Sequence, residues 1–239
     1  MKKHTFIILC SISLITFLSA VFLYVFNIKE EYRTTGSFHQ LEVNGPIQVF
    51  LIKELRDSIH IVADKGLADS VTSKVIDERL IITASPNTVH ERVLKVMVSS
   101  DHLNKIILNG PSSVEMTTQV TTDTFSIFLH QSSEARIHID CKSLQVELNG
   151  SSNVFMAGKT DVLNMKILEY SDVVAYNLES RLCNMDIQTP KSSEGIIRVN
   201  VSDTLKATMA PESSRTVYYK GTAQVIASDV IKNRVRKKE

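Results

Sequence analysis

The chain has 239 residues, of which 43% are apolar, so it can bury a sizeable core and is not a wholly disordered polymer. Its formal net charge of +1 supplies no concentrated positive field, which excludes nucleic acid as a partner class. Aromatic content is 6% with no tryptophan, which argues against an aromatic cage or sugar-stacking groove, and three cysteines are too few for a disulfide framework.

The first predicted element is apolar. Lys2 and Lys3 precede an uncharged run from Thr5 to Ile28, which Lys29, Glu30 and Glu31 close. As a helix, Phe6 to Ile28 would extend about 34 Å, enough to cross a hydrocarbon core of roughly 30 Å. The run is long for a cleaved signal, and the best cleavage candidate, Leu18-Ser19-Ala20, has an unsuitable leucine at its first position. An uncleaved signal anchor is therefore expected, with a cleaved signal peptide as the alternative. Cys10 follows bulky Leu9 and is a poor lipidation site. Two lysines before the span, against one lysine and two glutamates after it, keep residues 1–5 in the cytoplasm and send the remainder outward. Residues 29–35 read as a linker.

Beyond the linker no stretch sustains a 3.6-residue apolar period. Strands are predicted at Phe38–Val43, Ile47–Ile52, Ser58–Val62, Leu80–Thr83 and Val93–Val98, with Leu67 to Lys74 a short helical turn or loop. From there the pattern becomes regular. Leu144, Val146 and Leu148 alternate with polar residues, as do Leu163, Met165 and Ile167, then Cys183, Met185 and Ile187, then Leu205, Ala207 and Met209. Period two with one apolar face means strands buried on one side.

Each strand is followed by a small polar turn containing serine. From Ser113 through Ser133, Ser152, Ser171, Ser193 and Ser214 the steps are 20, 19, 19, 22 and 21 residues. A repeat this short holds strand, turn and strand but no crossover helix, and one unit cannot bury its face alone. Coils must stack at about 4.8 Å, with Leu, Val, Ile and Met in columns and serines laddering at the corners. An antiparallel sandwich of hairpins is the rival reading. The irregular segment before Val98 is assigned to the first coils or a cap, since end repeats are atypical. Cys141 and Cys183 fall at apolar or turn positions and read as small core residues, with one disulfide as the alternative.

Phe38-His39-Gln40-Leu41-Glu42-Val43-Asn44-Gly45-Pro46-Ile47-Gln48-Val49, then Ile59 to Asp64, Leu80-Ile81-Ile82, Leu103 to Gly110 and the serine turns, resemble the family of auto-transporter adhesin head GIN domains of Bacteroidetes-type bacteria. The resemblance covers about residues 36–228. Gln131, Tyr170, Lys191 and Glu212 stand where similar proteins often carry glycine. It implies an all-β, right-handed parallel β-solenoid at the cell envelope and brings no catalytic residues, cofactor or metal with it.

Chemistry-bearing motifs are sparse. Of the histidines at 4, 39, 60, 90, 102, 130 and 138, only His130 and His138 are close in sequence, and their spacing is no metal signature. No phosphate loop, nucleophile elbow or Cys-x-x-Cys occurs. Glu147, Lys166 and Asp186 hold comparable outward positions in three successive coils; they are either a solvated ladder or the acid–base cluster of a carbohydrate-active β-helix enzyme. Residues 229–239 form a basic tail with five basic residues between Lys232 and Lys238, read as a disordered solubilising end rather than a contact for anionic polymers. The expectation is a non-catalytic binding module of the inner membrane, tethered by its N-terminal helix, with residues 36–228 outside the membrane. An envelope glycan or another envelope protein is the expected partner.

Overall fold

The computed structural model describes residues 28–53, 58–64, 66–85, 94–99, 102–191 and 195–238. The expected anchor, Phe6 to Ile28, lies outside them except for Ile28; among the described residues no helix is long and apolar enough to cross a membrane. All seventeen described strands belong to one hydrogen-bonded sheet.

The regular part is built from β10 (Val120–His130), β11 (Glu134–Leu148), β12 (Asn153–Leu168), β13 (Asp172–Gln188) and β14 (Ile196–Met209), each parallel to the next. This is the stacked-coil arrangement and not a set of hairpins. Each long strand has two inward stretches. In β12, Val154 and Met156 point in before Thr160, and Leu163, Met165 and Ile167 after it. Between the stretches the ladder skips one residue per coil: Cys141 pairs with Thr160 and Ser143 with Val162, leaving Lys142 and Asp161 unpaired at a corner. A coil therefore turns at a serine corner and at a charged corner, and the inward side chains of both stretches join one buried cluster.

At the serine corner, Ser112, Ser133, Ser152 and Ser171 are buried. Ser133 Oγ lies 3.3 Å from Ser152 Oγ, and Ser171 Oγ accepts from the Ser152 N–H at 3.2 Å. Two of the expected rungs shift by one residue. Ser112, not Ser113, faces inward, and Ser213 is buried where Ser214 was expected, while Ser214 is exposed and donates to the Lys191 carbonyl. Only one serine of a doublet can face in, and composition does not say which. Ser193 lies outside the described residues; the ladder continues through Thr189, whose hydroxyl is 2.7 Å from that of Ser213. Gln131 and Glu169 take left-handed backbone conformations (φ 57° and 54°) at turns without glycine, at a cost of about 1 kcal/mol each.

The start of the rod departs from chain order. β2 (Gln40–Asn44) pairs in parallel with both β6 (Arg79–Thr83) and β8 (Lys105–Asn109), and β3 (Gln48–Ile52) with both β7 (Leu94–Ser99) and β9 (Ser113–Met116). The first coil thus sits between the second and third. β8 and β9 then pass the ladder to β10 and β11. Antiparallel strands close this end: β4 (Ser58–Asp64) on β7, β5 (Thr72–Ile76) on β6, and β1 (Ile28–Thr34) on β4. The segment assigned to the end of the anchor and the linker is therefore an edge strand. Its charged sequence, IKEEYRT, blunts the edge against further pairing.

β1 is held by Arg33, which donates to the carbonyls of Val71 (2.6 Å) and Ala68 (3.0 Å) beside a short 3-10 turn, Ala68–Ser70. Arg33 and Lys29 flank Glu31 at 2.6 and 3.1 Å and hold its carboxyl down at about 2. A carboxyl with a lowered native pKa contributes stability that is complete above its ordinary value of 4.5 and is lost as pH falls toward about 2. Protection factors at the β1 and β4 amides, corrected for intrinsic exchange, are expected to fall selectively across that window, and Glu31→Gln should remove that fall.

The other end is capped by the tail. β15 (Thr216–Lys220) and β16 (Gln224–Ile226) form the last coil against β14. The basic segment, expected to be disordered, instead folds as a 3-10 turn, Lys232–Arg234, and a strand, β17 (Val235–Lys237), parallel to β15. Ile231 is buried, and the Arg234 guanidinium donates to the Ser213 carbonyl. The apolar residues alternating among the charges make the last rung.

Candidate functional site

Because strands stack in parallel register, an outward residue on one coil stands directly beside its counterpart on the next. One such row runs the length of the rod. Tyr32, His60, Met97, Phe50, Glu115 and Arg136 occupy successive strands, followed by Phe155, Val174, Arg198, Tyr218 and Arg236. Ten steps make the row about 48 Å long. It gathers aromatics that are scattered in sequence and interleaves them with cations. The Tyr32 and His60 rings stack at 4.1 Å, and the Arg136 guanidinium lies 4.3 Å from the Phe155 ring centre.

β13 carries one extra residue relative to β12: Phe155 pairs with Val174, but Ala157 pairs with Asn177. The bulge turns Tyr176 outward beside the row, where the Arg198 guanidinium and Lys220 ammonium lie 6.0 and 5.7 Å from its ring centre. The Tyr176 hydroxyl is buried without a hydrogen-bond partner, and desolvation raises its pKa.

At the C-terminal end the row borders a pocket of about 400 Å³ lined by Gly195, Arg198, Arg215, Thr216, Tyr218 and Lys238, among others. Arg215 is fully buried. It follows Ser213 in the inward alternation and reaches two coils back, to the start of β13. There its Nη1 lies 3.3 Å from Asp172 Oδ1, and its Nη2 donates to the Ser171 carbonyl. Asp172 also accepts from the Ile196 N–H at 2.7 Å. Burial lowers the Arg215 pKa, and Asp172 opposes that shift.

Two other surfaces compete. A groove of about 800 Å³ follows the charged corner, with Thr122, Cys141, Thr160 and Ser180 in its floor. Its rims alternate in sign from coil to coil, and the charges pair with one another: Lys142 with Asp123 (2.7 Å), Lys159 with Glu179 (3.7 Å) and Arg181 with Asp203 (3.2 Å). Asp140 and Asp161 make no ion pair among the described residues, so the field that remains is weak and negative. The second surface is a shallow depression of about 610 Å³ that contains Glu147, Lys166 and Asp186, which the fold does place on successive rungs. Asp186 accepts hydrogen bonds from Gln188 (2.8 Å) and Thr208 (3.2 Å), and Asn184 bonds Asn164, as expected of a solvated ladder.

The remaining sequence candidates are dispersed. His130 and His138 do not meet, whereas His39 and His102, 63 residues apart, lie edge to face at 6.2 Å. Among the described residues no group of histidine, cysteine and carboxylate side chains is arranged to hold a metal ion. Cys141 and Cys183 are buried free thiols on neighbouring columns, which removes the disulfide alternative, and desolvation raises both thiol pKa values. Arg136, Arg198, Arg215, Tyr176 and Tyr218 were not legible as a site. The one local signal was Arg215, an arginine in an inward slot of the alternation.

The family profile described as "Putative auto-transporter adhesin, head GIN domain" matches residues 37–223. No functionally curated protein matches the sequence. Among solved structures, a "putative adhesin" from Bacteroides fragilis superposes with a TM-score of 0.73 at 18% identity, covering 84% of this chain and 91% of the other. A "putative adhesin" from Parabacteroides merdae gives 0.65 at 17% identity, covering 84% and 92%. A "putative lipid binding protein" from Parabacteroides distasonis gives 0.61 at 14% identity, with the same coverage. At these identities the likeness establishes a shared fold.

Proposed function

This chain belongs to the "Putative auto-transporter adhesin, head GIN domain" family, and from that premise we propose that it is a non-catalytic, adhesin-like binding module held outside the bacterial inner membrane. The observation that carries the reading is the outward row, rich in aromatic and cationic side chains, that extends over about 48 Å of rigid rod. A solenoid presents such a row with almost no loop to order on binding. The apolar residues before β1, 6–27, act as the anchor in this reading. The chain then enters β1 at once, which brings the antiparallel cap to the membrane and projects the other end outward. The right-handed wind implied by the family belongs to the same proposal.

Full-length protein in detergent micelles, incubated with isolated cell envelopes, is expected to sediment with them. The double substitution Arg136→Ala, Phe155→Ala removes one cation–aromatic pair from the centre of the row and should weaken binding about tenfold or more, without shortening envelope glycans in either protein. Glycan cleavage abolished by Glu147→Ala or Asp186→Ala would replace this reading with the enzymatic one.

A further inference from the structure

We propose that the C-terminal half of the row is a track for an acidic polysaccharide, with an oxyanion of that chain seated between Arg198 and Lys238, above the buried Arg215. The inference rests on the binding reading above and assigns its ligand class.

The pocket's described lining holds three cations and no carboxylate. The nearest acid, Asp172, is engaged by Arg215 and by the Ile196 N–H. Arg215 Nε is buried and has no hydrogen-bond partner, so its charge is only partly compensated and adds to the positive field beneath the pocket. Arg198 makes no ion pair among the described residues. Its guanidinium lies 6.0 Å from the Tyr176 ring centre, which leaves its in-plane donors available for bidentate contact with an oxyanion. Lys220 flanks the same ring, and Arg236 continues the row beyond Tyr218. Arg198, Tyr218 and Arg236 are successive rungs at about 4.8 Å, close to the advance of one pyranose ring along an extended glycan. A sugar face can then lie on Tyr218 while acidic substituents reach the arginines on either side. Gly195, Ser214 and Thr216 give the pocket a polar wall with a single aliphatic neighbour, Ile196, which suits a sugar oxyanion better than a lipid headgroup with its acyl chains. Glu115 and Glu134 interrupt the positive field along the face, unlike a nucleic-acid surface.

The test is fluorescence anisotropy of a labelled polygalacturonate oligomer with the full-length chain in micelles. Wild type should bind it in preference to a neutral dextran oligomer, with affinity falling as salt rises. Arg198→Gln should bind about tenfold more weakly, or about 1.4 kcal/mol, with an unchanged melting curve, while Lys166→Gln on the other face should bind as wild type does. Equal affinity for dextran, an unaffected Arg198→Gln, or full displacement of the oligomer by phosphatidylglycerol vesicles or single-stranded RNA would each overturn the assignment. If polygalacturonate fails while envelope binding persists and is lost in the Arg136→Ala, Phe155→Ala protein, only the ligand class falls. If envelope binding is absent as well, the binding reading falls with it.

Discussion

Asp172→Ala is expected to lower the unfolding free energy by about 3 kcal/mol, although Asp172 is an outward position. Asp172 is the only described carboxylate paired with Arg215, whose side chain is 0% exposed. Deleting it leaves a buried guanidinium with the Ser171 carbonyl as its remaining partner and removes the acceptor for the Ile196 N–H. Removing one member of a buried pair costs about 3–5 kcal/mol; because Asp172 is 39% exposed, water recovers part of that, and the lower figure applies. Asp172→Asn keeps an acceptor but not the charge and should cost about half as much. Urea midpoints read both. Because Arg215 ties the start of β13 to the start of β15, two coils on, the loss should be concentrated in β14 and β15, as faster hydrogen exchange there and little change in β8. An Asp172→Ala protein within about 1 kcal/mol of wild type would mean that Arg215 is held without it.

Gly158→Ala should be comparably damaging for a different reason. Gly158 has φ +113°, where an L side chain is strained, and an added Cβ would overlap the backbone carbonyl of Ile139, its register partner on the preceding coil. Neither backbone can retreat without breaking the β11–β12 ladder on both sides. The expected cost is about 3 kcal/mol, combining backbone strain with overpacking. Gly221 repeats the device on a later coil, with its missing Cβ facing the Val201 carbonyl at φ +100°. Gly36→Ala is the control: its φ is +77° with open space around it, so only conformational strain of about 1 kcal/mol applies. Thermal melts of the two variants separate steric overlap from strain, since equal losses at Gly36 and Gly158 would mean that close approach is not the cause.

The coil was legible in the sequence because it is written locally. Alternation of Leu163, Met165 and Ile167 with polar residues gives strand and inward face together, and the serine interval gives the coil length. The cap was not legible. Alternation states which side of a strand is buried but not which strand lies beside it, so placing the first coil between the second and third, with β1, β4 and β5 antiparallel at the end, left no local mark. The tail was misread as solvated because its charges outweigh Ile231 and Val235, which lie against the rod.

The candidate site shows the same division. By itself the sequence determined an all-β repeat with a dry interior, because hydrophobic burial at period two is a property of neighbouring residues. Only the tertiary structure decided that Arg136, Phe155, Arg198 and Tyr218 share one row, and that Arg215 reaches Asp172 across 43 residues. Outward positions carry no burial pattern to mark them. Their alignment depends on inter-coil register, including the extra residue beside Tyr176, and register is fixed by backbone pairing between segments some twenty residues apart.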